Sequence, residues 1–157
     1  VEGVAFPGSL KSIDLGQAFN HPVEGAAWPD SLLKIDFGRN FNHPIAGASW
    51  PAGLREMRFG NECTKPVHGV AWPTALHKIE FGNNLNQPIA GAAWPTVLQE
   101  MGFCCCAISH QPPASNQPLQ GMAWPAGLRV LDLPASFNSP LEGVALPAGL
   151  EKLDMGD

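Results

Sequence analysis

The sequence predicts a repeat solenoid, mainly β, in which each rung contributes one short parallel strand and returns through a non-helical arm. Three observations carry this. Proline recurs at Pro22, Pro44, Pro66, Pro88, Pro118 and Pro140, and glycine at Gly3, Gly25, Gly47, Gly69, Gly91, Gly121 and Gly143, at one constant interval everywhere but once. A second column, Phe6, Trp28, Trp50, Trp72, Trp94, Trp124 and Leu146, is followed by proline at every member. Three apolar columns keep the interval that separates Pro22 from Pro44, and a fixed period of that length marks stacked repeats in which each rung covers the next.

The strand comes first in each rung. In Lys34-Ile35-Asp36-Phe37 polar and apolar residues alternate, the pattern of a strand with one buried face. The first apolar column is Leu10, Leu32, Leu54, Leu76, Leu98, Leu128, Leu150. The second is Ile13, Ile35, Met57, Ile79, Met101, Leu131, Leu153, and the third Leu15, Phe37, Phe59, Phe81, Phe103, Leu133, Met155. All three are expected to point inward. The spacing L-x-x-L-x-L followed by asparagine matches a leucine-rich repeat. One strand per rung is therefore expected in a continuous parallel sheet, from the pair Ile13 and Leu15 to the pair Leu153 and Met155. Gly16, Gly38, Gly60 and Gly82 close the strand where the chain must turn. In the return arm the repeated prolines remove donors and disfavour helix.

The one irregular interval lies between Pro88 and Pro118, which stand eight positions further apart than any other neighbouring pair in that column. The surplus falls within "CCCAISHQPPAS", residues 104–115. Because Pro118 and Trp124 resume the columns, this segment is expected to bulge from one edge without breaking the stack, and residues 1–157 to form a single domain.

The segments "LGQAFNHPVEG", "FGRNFNHPIAG" and "FGNNLNQPIAG" resemble FNIP repeats, relatives of leucine-rich repeats named for a Phe-Asn-x-Pro-Ile core. The resemblance extends over nearly the whole chain. It departs at Cys63-Thr64-Lys65-Pro66 and at Ser115-Asn116, which stand where the motif has Phe-Asn, and in the Trp-Pro pair, which replaces a plainer apolar-Pro. The resemblance implies a protein-interaction scaffold and supplies no catalytic residues.

The remaining columns have structural and functional readings. Asn20, Asn42, Asn86, Asn116 and Asn138, with Thr64, are expected to form a ladder whose amides turn inward and satisfy backbone groups at the bend after the strand. Phe19, Phe41, Leu85 and Phe137 fill space beside it, with Cys63 as a small buried hydrophobe. Five indoles one rung apart could offer an aromatic strip to a partner; as column-mates of Phe6 and Leu146 they are expected to cover the core. The outward strand positions are Ser12, Lys34, Glu56, Lys78, Glu100, Val130, Lys152 and then Asp14, Asp36, Arg58, Glu80, Gly102, Asp132, Asp154. Signs alternate in rungs two to four, so that part of the face neutralises itself.

Composition excludes whole classes of function. Nine basic against fourteen acidic residues, net −5, have the wrong sign for nucleic acid. No apolar run is long enough for a membrane-spanning helix and no basic, apolar leader opens the sequence, so a soluble chain is expected. The four cysteines, three of them consecutive, do not suit a disulfide scaffold, and no Asn-x-Ser/Thr sequon occurs; both favour an intracellular setting. No phosphate loop, H-E-x-x-H or G-x-S-x-G is present, so no enzyme, catalytic residue or cofactor is expected. Cys104, Cys105, Cys106 and His110 could hold a soft metal or act in redox chemistry, but adjacent cysteines lack ligand spacing and no metal site is assigned.

The expected function is a non-catalytic protein–protein interaction scaffold. Specificity is expected in the protruding segment, with Cys105, Cys106, Ala107, Ile108, Ser109, His110, Gln111, Pro112 and Pro113 as candidate contacts, and in the polar row from His21 to Ser139. Neither Val1, in mid-rung, nor Asp157 has the look of a cap, so further repeats or protein partners are expected at both ends. The alternative is an architectural subunit embedded in a larger assembly.

Overall fold

The computed structural model describes residues 1–82, 84–85, 89, 91–103, 118–134 and 137–155. Seven strands form one parallel sheet in chain order: β1 (Ser12–Asp14), β2 (Lys34–Asp36), β3 (Glu56–Arg58), β4 (Lys78–Glu80), β5 (Glu100–Gly102), β6 (Val130–Asp132) and β7 (Lys152–Asp154). There is no helix among the described residues, so the return arms are non-helical as the prolines require, and nothing among them could cross a membrane as a long apolar helix. The expected parallel sheet is borne out rung by rung, though each strand is three residues long and ends one residue before the third apolar column. Ile13 pairs with Ile35, Ile35 with Met57, Met57 with Ile79, Ile79 with Met101, Met101 with Leu131 and Leu131 with Leu153. The long interval leaves this register intact, since Glu100 pairs with Val130 and Gly102 with Asp132.

Strands this short cannot stand alone, and the turns set their spacing. Rung one shows the plan. The Phe19 N–H donates to the Gly16 carbonyl at 3.2 Å, the Ala26 N–H to the Val23 carbonyl at 3.3 Å and the Leu32 N–H to the Pro29 carbonyl at 3.0 Å, which gives three corners per rung. The Val23–Ala26 corner has Gly25 at φ +72°, the backbone a type II turn demands at its third residue. The Pro-x-x-Leu corner recurs at Leu10, Leu54, Leu76, Leu98, Leu128 and Leu150, each N–H donating to the carbonyl of the proline that opens the motif. That proline follows the aromatic column and places each leucine at the mouth of the next strand.

The core is a set of stacked columns. Leu32, Ile35, Phe37, Leu54, Leu76, Ile79, Leu98, Leu128 and Leu131 are fully buried. Phenyl rings lie one above another: Phe37 on Phe59 at 4.7 Å and 5°, Phe59 on Phe81 at 5.5 Å and 10°, Phe81 on Phe103 at 5.5 Å and 21°. The rung rise of about 4.8 Å imposes this offset-stacked geometry, one of the two that ring quadrupoles favour. Not every expected inward residue is fully covered. Leu10, Leu15, Leu150 and Leu153 are partly buried and Met155 is 43% exposed, because a column member in the first or last rung has a neighbour on one side only. Two further columns complete the core, Val23, Ile45, Val67, Ile89, Leu119 after the Asn-x-Pro prolines and Ala26, Ala48, Val70, Ala92, Met122 after the glycines.

The glycines that end the strands have a packing cause beyond turning. A Cβ on Gly38 would overlap the Gly16 carbonyl oxygen and stand 2.6 Å from its carbon; one on Gly60 would overlap the Gly38 oxygen and stand 2.6 Å from the Arg39 oxygen. At Gly82 the same overlap meets Gly60. Successive rungs approach here backbone to backbone, leaving no volume for a side chain.

Candidate interaction surface

The strand face is built by the alternation that buries Ile35, Met57 and Ile79 and turns their neighbours outward. Lys34 Nζ lies 3.0 Å from Glu56 across β2 and β3. Arg58 on β3 bridges both neighbours, with Nη1 3.6 Å from Asp36 and Nε 3.3 Å from Glu80. Lys78 Nζ lies 3.1 Å from Glu80 on its own strand and 3.0 Å from Glu100 on the next. Its pKa is raised chiefly by the hydrogen bond to Glu100; its own desolvation opposes this and Glu80 adds to the rise. Lys152 pairs with Asp132 and Asp154, both at 3.1 Å, and Arg129 pairs with Glu151. A hollow of about 150 Å³ lies over Lys34, Glu56, Arg58, Lys78 and Glu80.

These pairs are partly exposed and each contributes little, roughly 0.2 to 1 kcal/mol. Reversing Arg58 to Glu should therefore lower stability by a few tenths to about 1 kcal/mol at low salt, since three carboxylates would then stand in register. Urea unfolding at low and high salt checks this; the loss should shrink as salt rises.

The asparagine column bonds to backbone groups along the stack. Asn20 Oδ1 accepts from the Asn42 N–H at 3.0 Å, and Asn42 Oδ1 accepts from the Thr64 N–H and hydroxyl, both at 3.1 Å. The amides link one rung to the backbone of the next. Asn20 and Asn138, the first and last members of the column, are exposed, and Asn42 between its neighbours is half-buried. Asn86 and Asn116 lie outside the described residues. In the polar row beside the ladder, His43 Nε2 stands 3.1 Å from the Asn20 carbonyl and His21 meets the Phe19 ring edge-on at 5.7 Å.

The tryptophans form a pile at the side of the core. Phe6 stacks on Trp28 at 5.4 Å, Trp28 on Trp50 at 6.1 Å and Trp72 on Trp94 at 5.3 Å. Trp28 and Trp72 are buried, the other three half-buried, and all five indole nitrogens are shielded without an acceptor among the described residues. The column therefore covers the core and is not an exposed strip.

No reaction centre is assembled among the described residues. Cys63 is a buried free thiol whose pKa burial pushes up to about 11, the state of a packing residue and not of a nucleophile. Three or more His, Cys, Asp or Glu side chains placed to share a metal are absent among the described residues. Cys104 to Cys106, His110 and the whole candidate loop from Cys105 to Pro113 lie outside them. A small apolar cavity of about 20 Å³ opens among Leu85, Ile89, Phe103, Leu119, Leu133 and Phe137. It occurs in the rungs where the Phe19, Phe41, Phe137 column reads Leu85 and Ser115.

Comparison with known proteins agrees with this architecture. The FNIP Repeat family model matches residues 19–62, the two rungs with the fullest motif, so the resemblance is borne out there. Among solved structures, the crystal structure of CroV588, described as a novel circular LRR protein, superposes with a TM-score of 0.56 at 24% identity. The match covers 92% of this chain and 27% of that one, and at this identity shows the fold alone. No curated protein matches the sequence.

Proposed function

We propose that this array of leucine-rich-like rungs is a non-catalytic scaffold that binds another protein at the edge of the stack carrying residues 105–113. The observation that supports it is the undisturbed register between β5 and β6 across the one lengthened interval of the repeat. A stack that absorbs eight additional residues without slipping has no packing need for them, and loops on a rigid repeat are where recognition usually resides. The strand face in rungs two to four is occupied by its own ion pairs. Cys63, a free buried thiol, suits a reducing compartment and supports an intracellular setting.

Deleting eight residues within 104–115 tests both halves of the proposal. The closure entropy of a loop changes by only a few tenths of a kcal/mol over such a length, so the melting temperature should hardly move. Cross-linking of the intact complex should place partner contacts within 105–113, and the deletion should abolish them. Collapse of the fold on deletion, or contacts confined to rungs two to four of the strand face, would refute it.

A further inference from the structure

We propose that the margin of the sheet at the mouths of β1 to β3 binds an acidic, extended segment of a protein partner, with two of its carboxylates on Lys11 and Arg55 and the residues between them over Leu33. These residues stand immediately before the strands, in one column. Their backbone forms a hydrogen-bonded line of its own. The Leu33 N–H donates to the Lys11 carbonyl at 2.8 Å, the Arg55 N–H to the Leu33 carbonyl at 2.9 Å and the His77 N–H to the Arg55 carbonyl at 2.9 Å. The side chains therefore leave a fixed backbone at the strand spacing of about 4.8 Å, and Lys11 and Arg55 are rooted about 10 Å apart.

Three observations set this column apart. Lys34, Arg58, Lys78, Arg129 and Lys152 each hold a carboxylate of the protein itself. Lys11 and Arg55 are exposed and have no ion pair among the described residues. Between them stands Leu33, half-buried, the one apolar member of a column that otherwise reads Lys11, Arg55, His77, Gln99, Arg129, Glu151. The surrounding charge is also segregated. In the first four rungs this column and the next carry Lys11, Lys34, Arg55 and Lys78 against Glu56, while the far end of the same strands carries Asp14, Asp36 and Glu80 against Arg58. A chain of net charge −5 thus keeps a cationic margin, and sign complementarity selects an anionic partner there. The spacing selects its conformation. Carboxylates three residues apart in a polyproline II segment share one side about 9 Å apart, close to the separation of alternate rungs. In a β-strand, residues on one side are about 7 or 13 Å apart.

This inference rests on the scaffold reading only in requiring a protein partner; it concerns a different surface from residues 105–113. The test uses fluorescence anisotropy of a labelled peptide of four Glu-Pro-Pro repeats with the intact chain at low salt. Lys11→Ser and Arg55→Ser should each weaken binding by at least about fivefold, whereas Arg39→Ser, which removes the same charge at an exposed position after β2, should change it by less than about twofold. Should Arg55→Ser lower the melting temperature, Arg55→Gln replaces it and should weaken binding in the same direction. A peptide of four Glu-Pro repeats, with equal charge but closer carboxylates, should bind at least about threefold more weakly. Equal losses from Arg39→Ser and Arg55→Ser would reduce the binding to net charge and overturn the proposal, as would failure of the Glu-Pro-Pro peptide to bind the unmodified chain. An oligothymidylate of equal charge that bound as tightly and depended on the same residues would assign the margin to nucleic acid and overturn it too. The eight-residue deletion separates the two ideas: it should leave peptide binding unchanged whatever it does to partner contacts at the loop.

Discussion

Gly38→Ala should cost more than about 4 kcal/mol, beyond what a surface change can do and a large share of the stability of an ordinary domain. Two causes add. The backbone at Gly38 has φ +74°, where an L side chain is strained by roughly 1 to 3 kcal/mol. The new methyl would also overlap the Gly16 carbonyl of the preceding rung, so the stack must open at its closest point. Two other glycines separate the contributions. Gly69 has φ +73° with nothing near its missing Cβ, so Gly69→Ala should cost only the conformational strain. Gly60 has no positive φ but the same crowding, so Gly60→Ala isolates the overlap. Urea midpoints for the three variants should rank Gly38→Ala as the worst; equal losses at Gly38 and Gly69 would show that rung spacing does not matter.

Phe37→Ala should lose about 3 to 5 kcal/mol, the cost of removing a phenyl ring from a core that cannot close around the gap. Phe37 is fully buried, stacks on Phe59 at 4.7 Å, touches Phe41 at 4.7 Å and meets the Trp50 ring edge-on at 5.9 Å. Collapse is hindered because Leu15 on one side and the Phe59 ring on the other are held at the strand repeat. Phe37→Leu keeps most of the volume and should lose less than half as much. Met155 in the same column is 43% exposed, and Met155→Ala should fall within about 0.5 kcal/mol of the unmodified chain. Chemical denaturation with an unchanged m-value is the measurement, since a lower m would signal loss of cooperativity between rungs.

What the sequence made legible is whatever recurs in every rung and acts within one rung. The alternation around Ile35 gave strand, face and register together, because a period of two admits no other pairing that buries the same columns. The cross-strand ion pairs of Lys34 with Glu56 and of Arg58 with Asp36 and Glu80 followed from that register. Effects between rungs were harder to see. Nothing in the string distinguishes Gly38, pressed against the Gly16 carbonyl, from a glycine that merely turns, and nothing says that Asn42 serves the Thr64 backbone and not its own bend. The Val23, Ile45, Val67 column lies outside the strand pattern because it follows a proline; its apolar character at a constant offset from Pro22, Pro44 and Pro66 is the signal that marks it as core.

The strictly sequential strand order also dictates how the chain can fold. Each strand pairs only with the ones immediately before and after it, so no native contact in the sheet waits for a distant segment to arrive. Sequence separation is uniform, a topology that lets a nucleus of two or three rungs form anywhere and grow in both directions like a zipper. The single uneven step is the closure of β6 on β5, where the connecting chain is longer by eight residues than at any other pair of strands. Loop entropy slows that step by only about 0.3 kcal/mol, less than a factor of two in rate. The arm between them must nevertheless find its register without the glycine that ends β1 to β4, because Cys104 and Pro134 occupy that place after β5 and β6. A growing stack therefore has one natural pausing point, and a partly folded form divided there would consist of a five-strand block with its last sheet edge open.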